Sequence, residues 1–486
     1  MEKYTKIVAT IGPACCSPEM LHRLHKAGMD AVRINLSHGD RPSQLDYINS
    51  IRQIDSNFPV ILDTKGPEIR TGRMDSSPIL VDRNAELPLI YSTHEGITDA
   101  IPVDYPYLHE ITPGTHILFD DGLVESEVIE NKGDMLVIRI MNYGPIGSGK
   151  KVTLQGHEVK LPFLTERDKE DILFAIENKI HIVAASFVRR ADDIQSLRSF
   201  VAGHGANVQI IAKIEHPDAV HNLNDIIERS DGIMVARGDL GVELPLQQIP
   251  GLQRKIIKRC NQSGKPVIVA TQMLESMREN PRPTRAEVND IAHAILQGAD
   301  AIMLSAETAT GSYPVHSVQM MSLIAKQYEK HVKGIIRKYR RKKERGRTDI
   351  AQYIAKAAFY ASDELDAKAI VTPTETGFTA RNVSRFKPKC PILAGTKDPG
   401  VQQLLHLVRG VFPMLDAENY LDLSHYDMSY QLIRHYYEAG ILSMQDRIII
   451  TSGSNLITKR GTNLLEIYTV GDIIKDRVGS HSRHLG

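Results

Sequence analysis

Acids and cations gather at the ends of short apolar runs in this sequence. Arg33-Ile-Asn35-Leu-Ser37-His38-Gly39 follows one run, and Asp63-Thr64-Lys-Gly-Pro-Glu68-Ile-Arg70 follows the next. Lys213-Ile-Glu215, Arg237-Gly238-Asp239, Thr271-Gln272 and Glu307-Thr308 close four more. One such end can be a hydrogen-bond network of the scaffold. Six converging ends, with several acids and several cations, are costly to desolvate unless a metal and an anionic ligand complete them. Glu215 and Asp239 lie on neighbouring runs and suit one hard divalent cation. Mg2+ takes one or two protein carboxylates and fills its shell with substrate oxygens and water. Arg33, Arg70 and Lys213 suit a phosphoryl group, arginine as a planar fork and lysine as a point charge. Gly238 carries no side chain, so backbone N–H groups there can approach a carboxylate at a helix start. Phosphoryl transfer asks a protein mainly for positioning and charge stabilisation, which this set supplies.

The elements that must hold these residues alternate regularly. Lys6–Ile11, Ala31–Leu36, Val60–Asp63, Ile182–Ser186, Val208–Lys213, Gly232–Ala236, Val267–Thr271 and Ala301–Ser305 read as strands, apolar on both faces as in covered parallel sheets. Ser17-Pro18 marks a helix start, and Thr284-Arg-Ala-Glu287 is a capping box. Further helices are expected at about 42–55, 165–178, 191–203, 219–230, 250–262 and 314–332. Eight strands and eight helices favour an α/β fold closed into a (β/α)8 TIM barrel, with an open doubly wound sheet as the competitor. The polar ends then meet at the carboxyl face of the barrel. The expected domains are 1–70 with 157–335 as the barrel, 71–156 as an inserted small β-barrel lid, and 348–475 as a C-terminal α/β domain. The insert has Gly-Asp and Asp-Gly turns between short Val/Ile runs, and an insert at that face commonly covers an active site. Strands of the last domain are expected near Ala369–Thr372, Pro391–Leu393, Val411–Pro413 and Arg447–Thr451. The basic stretch Arg337–Arg347 reads as a linker or solvated helix face between the two.

Composition narrows the field. Lys plus Arg and Asp plus Glu both total 59, so no global field favours nucleic acid or an anionic membrane. Hydrophobic content of 42% with 24% charged residues is that of an ordinary globular protein. No apolar run approaches the ~20 residues of a membrane span. Met1-Glu-Lys-Tyr-Thr-Lys leads straight into a strand with no apolar h-region, so no secretion leader is expected. Cys15, Cys16, Cys260 and Cys390 make no disulfide framework and no metal motif. A cytoplasmic protein is the expectation.

Several long strings resemble the pyruvate kinase family. They are Asp63-Thr-Lys-Gly-Pro-Glu-Ile-Arg-Thr-Gly72, Ile211-Ala-Lys-Ile-Glu215, Asp231-Gly-Ile-Met-Val-Ala-Arg-Gly-Asp-Leu-Gly241, Ala270-Thr-Gln-Met-Leu-Glu-Ser-Met277 and Pro281-Arg-Pro-Thr-Arg-Ala-Glu287. The resemblance covers nearly the whole chain in order. It implies transfer of the phosphoryl group of phosphoenolpyruvate to ADP in glycolysis, in a homotetramer with Mg2+ (or Mn2+) and K+. Residue by residue, it implies that Lys213 neutralises the transferring phosphoryl and the enolate oxygen, and that Glu215 and Asp239 hold the divalent metal. Arg33 and Arg70 would contact phosphates, Asn35, His38, Arg70 and Lys150 the nucleotide, and Gly238 with Asp239 the substrate carboxylate. Thr271 would line the pocket beside the carbon that receives a proton; whether a side chain or a water chain donates it stays open. Asn35, Ser37, Asp63 and the Thr64 carbonyl would hold potassium, and Glu68 stands where potassium-dependent members carry glutamate. The alternative is that these groups only cap a strand end. A metal-dependent pyruvate aldolase or lyase, and a non-catalytic ligand-sensing scaffold, are the rival readings.

Two segments need separate treatment. Gly144-Pro-Ile-Gly-Ser-Gly-Lys150 mimics a P-loop but has Lys151 where Ser or Thr should be, and a strand-like run follows. In the family a lysine here reaches the nucleotide; Lys150 is the choice, with Lys151 the alternative. Thr153 and Gln155 replace the Asn and Pro usual in the family, which puts the local hinge geometry in doubt. In the last domain, Thr374-Glu-Thr376-Gly377-Phe-Thr379-Ala-Arg381 resembles a sugar-phosphate effector loop. Glu375 opposes a bisphosphate, so a monophosphorylated sugar or a nucleotide fits as well as fructose 1,6-bisphosphate, and no effector at all is the further alternative. The His-rich tail Ser480–Gly486 reads as a terminal segment rather than a metal site.

Overall fold

The computed structural model describes residues 3–75, 77–92, 100–157, 159–332, 350–415, 425–453 and 461–481. The basic stretch Arg337–Arg347 lies outside these residues, as does the tail beyond residue 481. Strands β1 (Lys6–Thr10), β2 (Ala31–Asn35) and β3 (Val60–Asp63) open the chain. A run of short strands follows: β4 (Ile69–Arg70), β5 (Ile79–Val81), β6 (Glu86–Tyr91), β7 (Ile101–Val103), β8 (His116–Phe119), β9 (Val124–Asn131), β10 (Met135–Ile140), β11 (Gly144–Ile146) and β12 (Lys151–Leu154). The alternation then resumes with β13 (Ile182–Ala185), β14 (Gln209–Ile214), β15 (Gly232–Ala236), β16 (Val267–Ala270) and β17 (Ala301–Leu304).

β1–β3 and β13–β17 pair in parallel and close on themselves in the order β1-β17-β16-β15-β14-β13-β3-β2. Closure excludes the open sheet. The strands are almost wholly buried because successive side chains face two apolar layers. Ile7 and Ala9 pack outward with helix residues such as Leu21 and Leu24. Val8 packs inward with Ile61, Met234, Ile268 and Met303. The expected caps are present: Ser17 accepts from Met20 N, and Thr284 with Glu287 form the reciprocal box. The segment expected as one helix at 219–230 is two, Pro217–His221 and Leu223–Arg229. They part at Asn222, whose side chain donates to Arg189 O at 3.0 Å.

Between β3 and the helix Glu166–Glu177 stand two sheets, β4-β12-β8-β9-β10-β6-β7 and β11-β5. They enclose an apolar core of their own, with Phe119, Leu136 and Ile138 fully buried. The P-loop look-alike leads into β12, a strand rather than a helix.

The chain ends in β18 (Ala369–Pro373), β19 (Ile392–Thr396), β20 (Val411–Leu415), β21 (Arg447–Ser452) and β22 (Leu464–Thr469), ordered β20-β19-β18-β21-β22. The first four match the expected strands. β22 was not foreseen; it pairs antiparallel along the edge of β21. This sheet is tied to the barrel through its base. Leu404 and Leu407 are fully buried in the cluster that fills the barrel interior. Lys387 Nζ meets Asp300 Oδ1 at 2.8 Å with both side chains at most 6% exposed. Asp300 also accepts from Val267 N and Arg409 N.

Candidate active site

The carboxyl ends of the barrel strands bring the predicted residues together around Lys213. β14 buries this lysine, and its ammonium reaches Asp63 Oδ1 at 2.9 Å, Ser186 Oγ at 2.6 Å and Glu215 Oε1 at 2.9 Å. Burial works against the charge, but Asp63 and Glu215 outweigh it and raise the Lys213 pKa. The lysine therefore stays cationic. Arg33 comes from β2 and donates through Nε to Asp63 Oδ2 at 2.6 Å. Burial resists ionisation of Asp63, yet Arg33 and Lys213 together hold its carboxyl below the usual range. Phe187 N and Ser186, unmarked in the sequence, complete the group: Phe187 N donates to Glu215 Oε2 at 2.7 Å. Their only signal is that they follow β13 directly.

Asp239 begins the second half of the site. It lies in the helix Arg237–Glu243, directly after β15. Glu215 and Asp239 repel one another, and their environments differ. Burial raises the Glu215 pKa despite Lys213. Burial also opposes ionisation of Asp239, but Lys151 and Lys213 keep its carboxyl low. Lys151 Nζ stands 2.5 Å from Asp239 Oδ1 and 5.2 Å from the centroid of the Phe187 ring. Lys150, the lysine chosen from the sequence, instead pairs with Asp120 Oδ2 at 2.8 Å on a half-exposed surface. Lys150 stands just before β12, and successive side chains of extended backbone face opposite sides, so the two lysines point apart. Two carboxylates that draw an ammonium this closely fit a hard divalent cation, which needs one or two of them. Among the described residues no group of three or more His, Cys, Asp or Glu gathers as an all-protein metal cage.

The Gly238 N–H, expected to be open to a substrate carboxylate, donates to Thr271 Oγ1 at 2.8 Å. Thr271 sits at φ +67° and Gln272 at +52°, a left-handed turn that L side chains adopt at a cost. Arg237 supports that turn. It donates to Thr271 O at 2.5 Å and pairs with Asp290 Oδ2 at 2.5 Å.

The end of the β2–β3 pair holds a third group. Asn35 and Asp63 are register partners on adjacent strands, and Asn35 Oδ1 accepts from Ser37 N at 3.2 Å. Thr64 is buried and its carbonyl accepts from Ser186 Oγ at 2.6 Å. Glu68 Oε2 holds Arg70 Nη2 at 2.5 Å, and Arg70 Nη1 reaches Gly149 O at 2.7 Å. His38 is exposed at the rim.

Comparison with known proteins decides what this assembly belongs to. The family model described as pyruvate kinase, barrel domain, matches residues 2–318, and that described as pyruvate kinase, alpha/beta domain, matches residues 352–468. The chain belongs to the pyruvate kinase family. A pyruvate kinase of Bacillus licheniformis is 44% identical over 482 residues, 97% of this chain and 81% of that protein. One from Clostridium acetobutylicum is 39% identical over 475 residues, 96% of this chain and 99% of that protein. Among solved structures, a pyruvate kinase from Cryptosporidium parvum superposes with a TM-score of 0.88 at 34% identity, covering 96% of both chains.

Membership of the pyruvate kinase family disfavours the lyase and the silent scaffold. Hydrogen bonding marks one of the six strand ends as scaffold. Glu307 is fully buried and accepts from Leu274 N at 3.0 Å and Ser305 N at 2.7 Å, while Thr308 Oγ1 donates to Thr10 O at 2.8 Å. The eighth end is a bracket between strands. In the last domain Gly377 takes φ +72° at the start of the helix Phe378–Ser384. A side chain there would also crowd Arg381, Val401 and Leu405. Thr374 and Thr379 are buried, Thr379 Oγ1 shares a hydrogen bond with Thr462 Oγ1 at 2.7 Å, and Thr376 O accepts from Arg381. The Thr379 hydroxyl thus already has a protein partner.

Proposed function

We propose that this protein transfers the phosphoryl group of phosphoenolpyruvate to ADP, giving pyruvate and ATP, with the carboxyl face of the barrel as the site. The observation that carries the proposal is the buried ammonium of Lys213, held among Asp63, Glu215 and Ser186 beside Arg33. Lys213 keeps its charge without a proton to spare, so it acts as an electrostatic group. It neutralises the phosphoryl oxygens in flight and the enolate oxygen left behind, a role in which a single donor is worth about 10²–10³ in rate. Arg33 presents its guanidinium to the same phosphoryl group, and Arg70 faces the nucleotide phosphates with Asn35 and His38. Catalysis in this family depends on metal. Glu215 and Asp239 would hold Mg2+ or Mn2+, which when bound neutralises charge on phosphoryl and enolate oxygens. The substrate carboxylate would take the Gly238 N–H from Thr271 as it binds, next to Asp239. Thr271 then lines the pocket where the enolate carbon is protonated.

Asn35, Ser37, Asp63 and Thr64 are proposed to bind K+, with Glu68 beside them. Lys151 replaces Lys150 as the better-placed lid lysine. A phosphorylated effector at Thr374, Thr376, Gly377 and Thr379, and a homotetramer, extend the same proposal. So does a cytoplasmic location: the four cysteines are unpaired, and no helix among the described residues is long and apolar enough to cross a membrane.

Pyruvate formation from phosphoenolpyruvate and ADP, measured with Mg2+ and with or without K+, tests the reading. Wild type is expected to need both ions, and Lys213→Met to lose at least about 10²-fold in rate while remaining folded. Activity without K+ would sink the Glu68 argument, and an active Lys213→Met would sink the assigned mechanism.

A further inference from the structure

Two side chains on or just past β12 reach one helix, and one of them, Gln155, is a departure from the family pattern. Lys151 places Nζ 2.5 Å from Asp239 Oδ1, and Gln155, just past the strand, donates through Nε2 to Val242 O at 2.6 Å. Asp239 and Val242 belong to the helix Arg237–Glu243 at the mouth of the barrel. The Lys151 side chain is only 14% exposed. Its ammonium lies over the ring of Phe187, whose backbone N–H holds the other carboxylate, Glu215. β12 itself lies between β4 and β8 in the seven-stranded sheet. Lys151 and Gln155 thus connect that sheet to the helix at the barrel mouth.

We infer that Lys151 is a resident cation of the metal site, which holds Asp239 and competes with a divalent ion for it. This rests on the assignment of Glu215 and Asp239 as metal ligands. An ammonium at 2.5 Å from Oδ1 and a metal at that oxygen compete for it, since like charges at such range repel in a site shielded from water. Gln155 strengthens the arrangement from its other end. Lys151 and Gln155 together form a strap that fastens β12 to the helix until metal arrives. The strap lowers the fraction of protein able to accept metal, and apparent affinity falls by that fraction. It also gives Asp239 a counter-charge of its own, as Lys213 does for Glu215. The metal is thus linked to release of the lid strand as well as to the chemistry.

Binding of Mn2+ to the metal-free protein, followed by the electron paramagnetic resonance of the unbound ion, reads this without turnover. Lys151→Met is expected to bind Mn2+ about tenfold more tightly than wild type, and Gln155→Ala a few-fold more tightly. Lys150→Met removes the same formal charge from the next residue and is expected to bind as wild type does. Affinity unchanged or weakened in Lys151→Met overturns the inference, and so does equal tightening in Lys150→Met, which would mean a general field rather than a strap. If Lys151→Met does not fold, Gln155→Ala decides: no tightening there overturns the strap. Asp239→Asn is expected to weaken Mn2+ binding at least tenfold. Undiminished binding in that variant would instead overturn the metal assignment, a separable failure.

Discussion

Glu243 lies one turn beyond Asp239 on the same helix, and its Oε2 is buried with no hydrogen-bond partner among the described residues. Burial pushes its pKa up to about 7, with Lys151 opposing. The folded protein thus keeps a proton there after an unfolded chain has released it. The resulting stabilisation is complete below about pH 4.5, where both states are protonated. It is lost as pH rises through about 7, a total change of roughly 3 kcal/mol. The expected outcome is that Glu243→Gln gains stability relative to wild type as pH goes from 5 to 8, read from chemical denaturation. A difference that does not vary with pH would refute it. At this scale the site was legible where chemistry and position coincide: Arg33, Asp63, Lys213, Glu215 and Asp239 are charged residues at the ends of apolar runs. The choice between Lys150 and Lys151 was not. It depends on which face of a strand each occupies, and a shift of one residue exchanges the faces. Ser186 and the Phe187 N–H escaped because their partners lie across strands, not along the chain. Glu307 misled for the opposite reason, being an acid at a strand end whose work is to hold Leu274 N and Ser305 N.

Elements whose determinants are consecutive were the most readable. The box Thr284–Glu287 is one: Thr284 Oγ1 accepts from Glu287 N at 3.2 Å, and Glu287 Oε2 accepts from Thr284 N at 2.7 Å. Thr284→Ala is expected to cost about 1 kcal/mol in denaturant unfolding. Glu287→Ala should cost more, because the same carboxylate also holds Ser276 N at 2.7 Å and Ser276 Oγ at 2.6 Å. Equal losses in the two variants would show that the link to Ser276 contributes nothing. That link spans the turn between the Thr271 segment and the next helix, and no local pattern announces it. The eight barrel strands were legible for a similar reason, since burial on both faces writes an unbroken apolar run. β22 lacks such a run. It is an edge strand whose residues are mostly half-buried, and Leu464-Leu-Glu-Ile-Tyr-Thr469 acquires its strand character from pairing with β21.

The whole molecule depends on the seam beneath the barrel. Lys387 and Asp300 form a buried pair across it, and breaking such a pair from one side typically costs about 3–5 kcal/mol. Lys387→Met is therefore expected to lower stability by that amount, with the barrel and the C-terminal sheet losing structure together in a melt followed by circular dichroism. A loss below about 1 kcal/mol would place this contact among the weak surface pairs. Leu404 and Leu407 lie close by, sealing the inner floor of the barrel. The last barrel strand ends at Leu304, so a ribosome releases all eight strands well before it releases the two leucines. Nascent chains fold from the amino terminus onward. A ring of strands that closes within that interval stands over an uncovered apolar floor, wetted and open to any passing hydrophobic surface. The catalytic half of this protein is completed by residues translated long after its own last strand, and a message truncated before codon 404 would yield a barrel with no stopper.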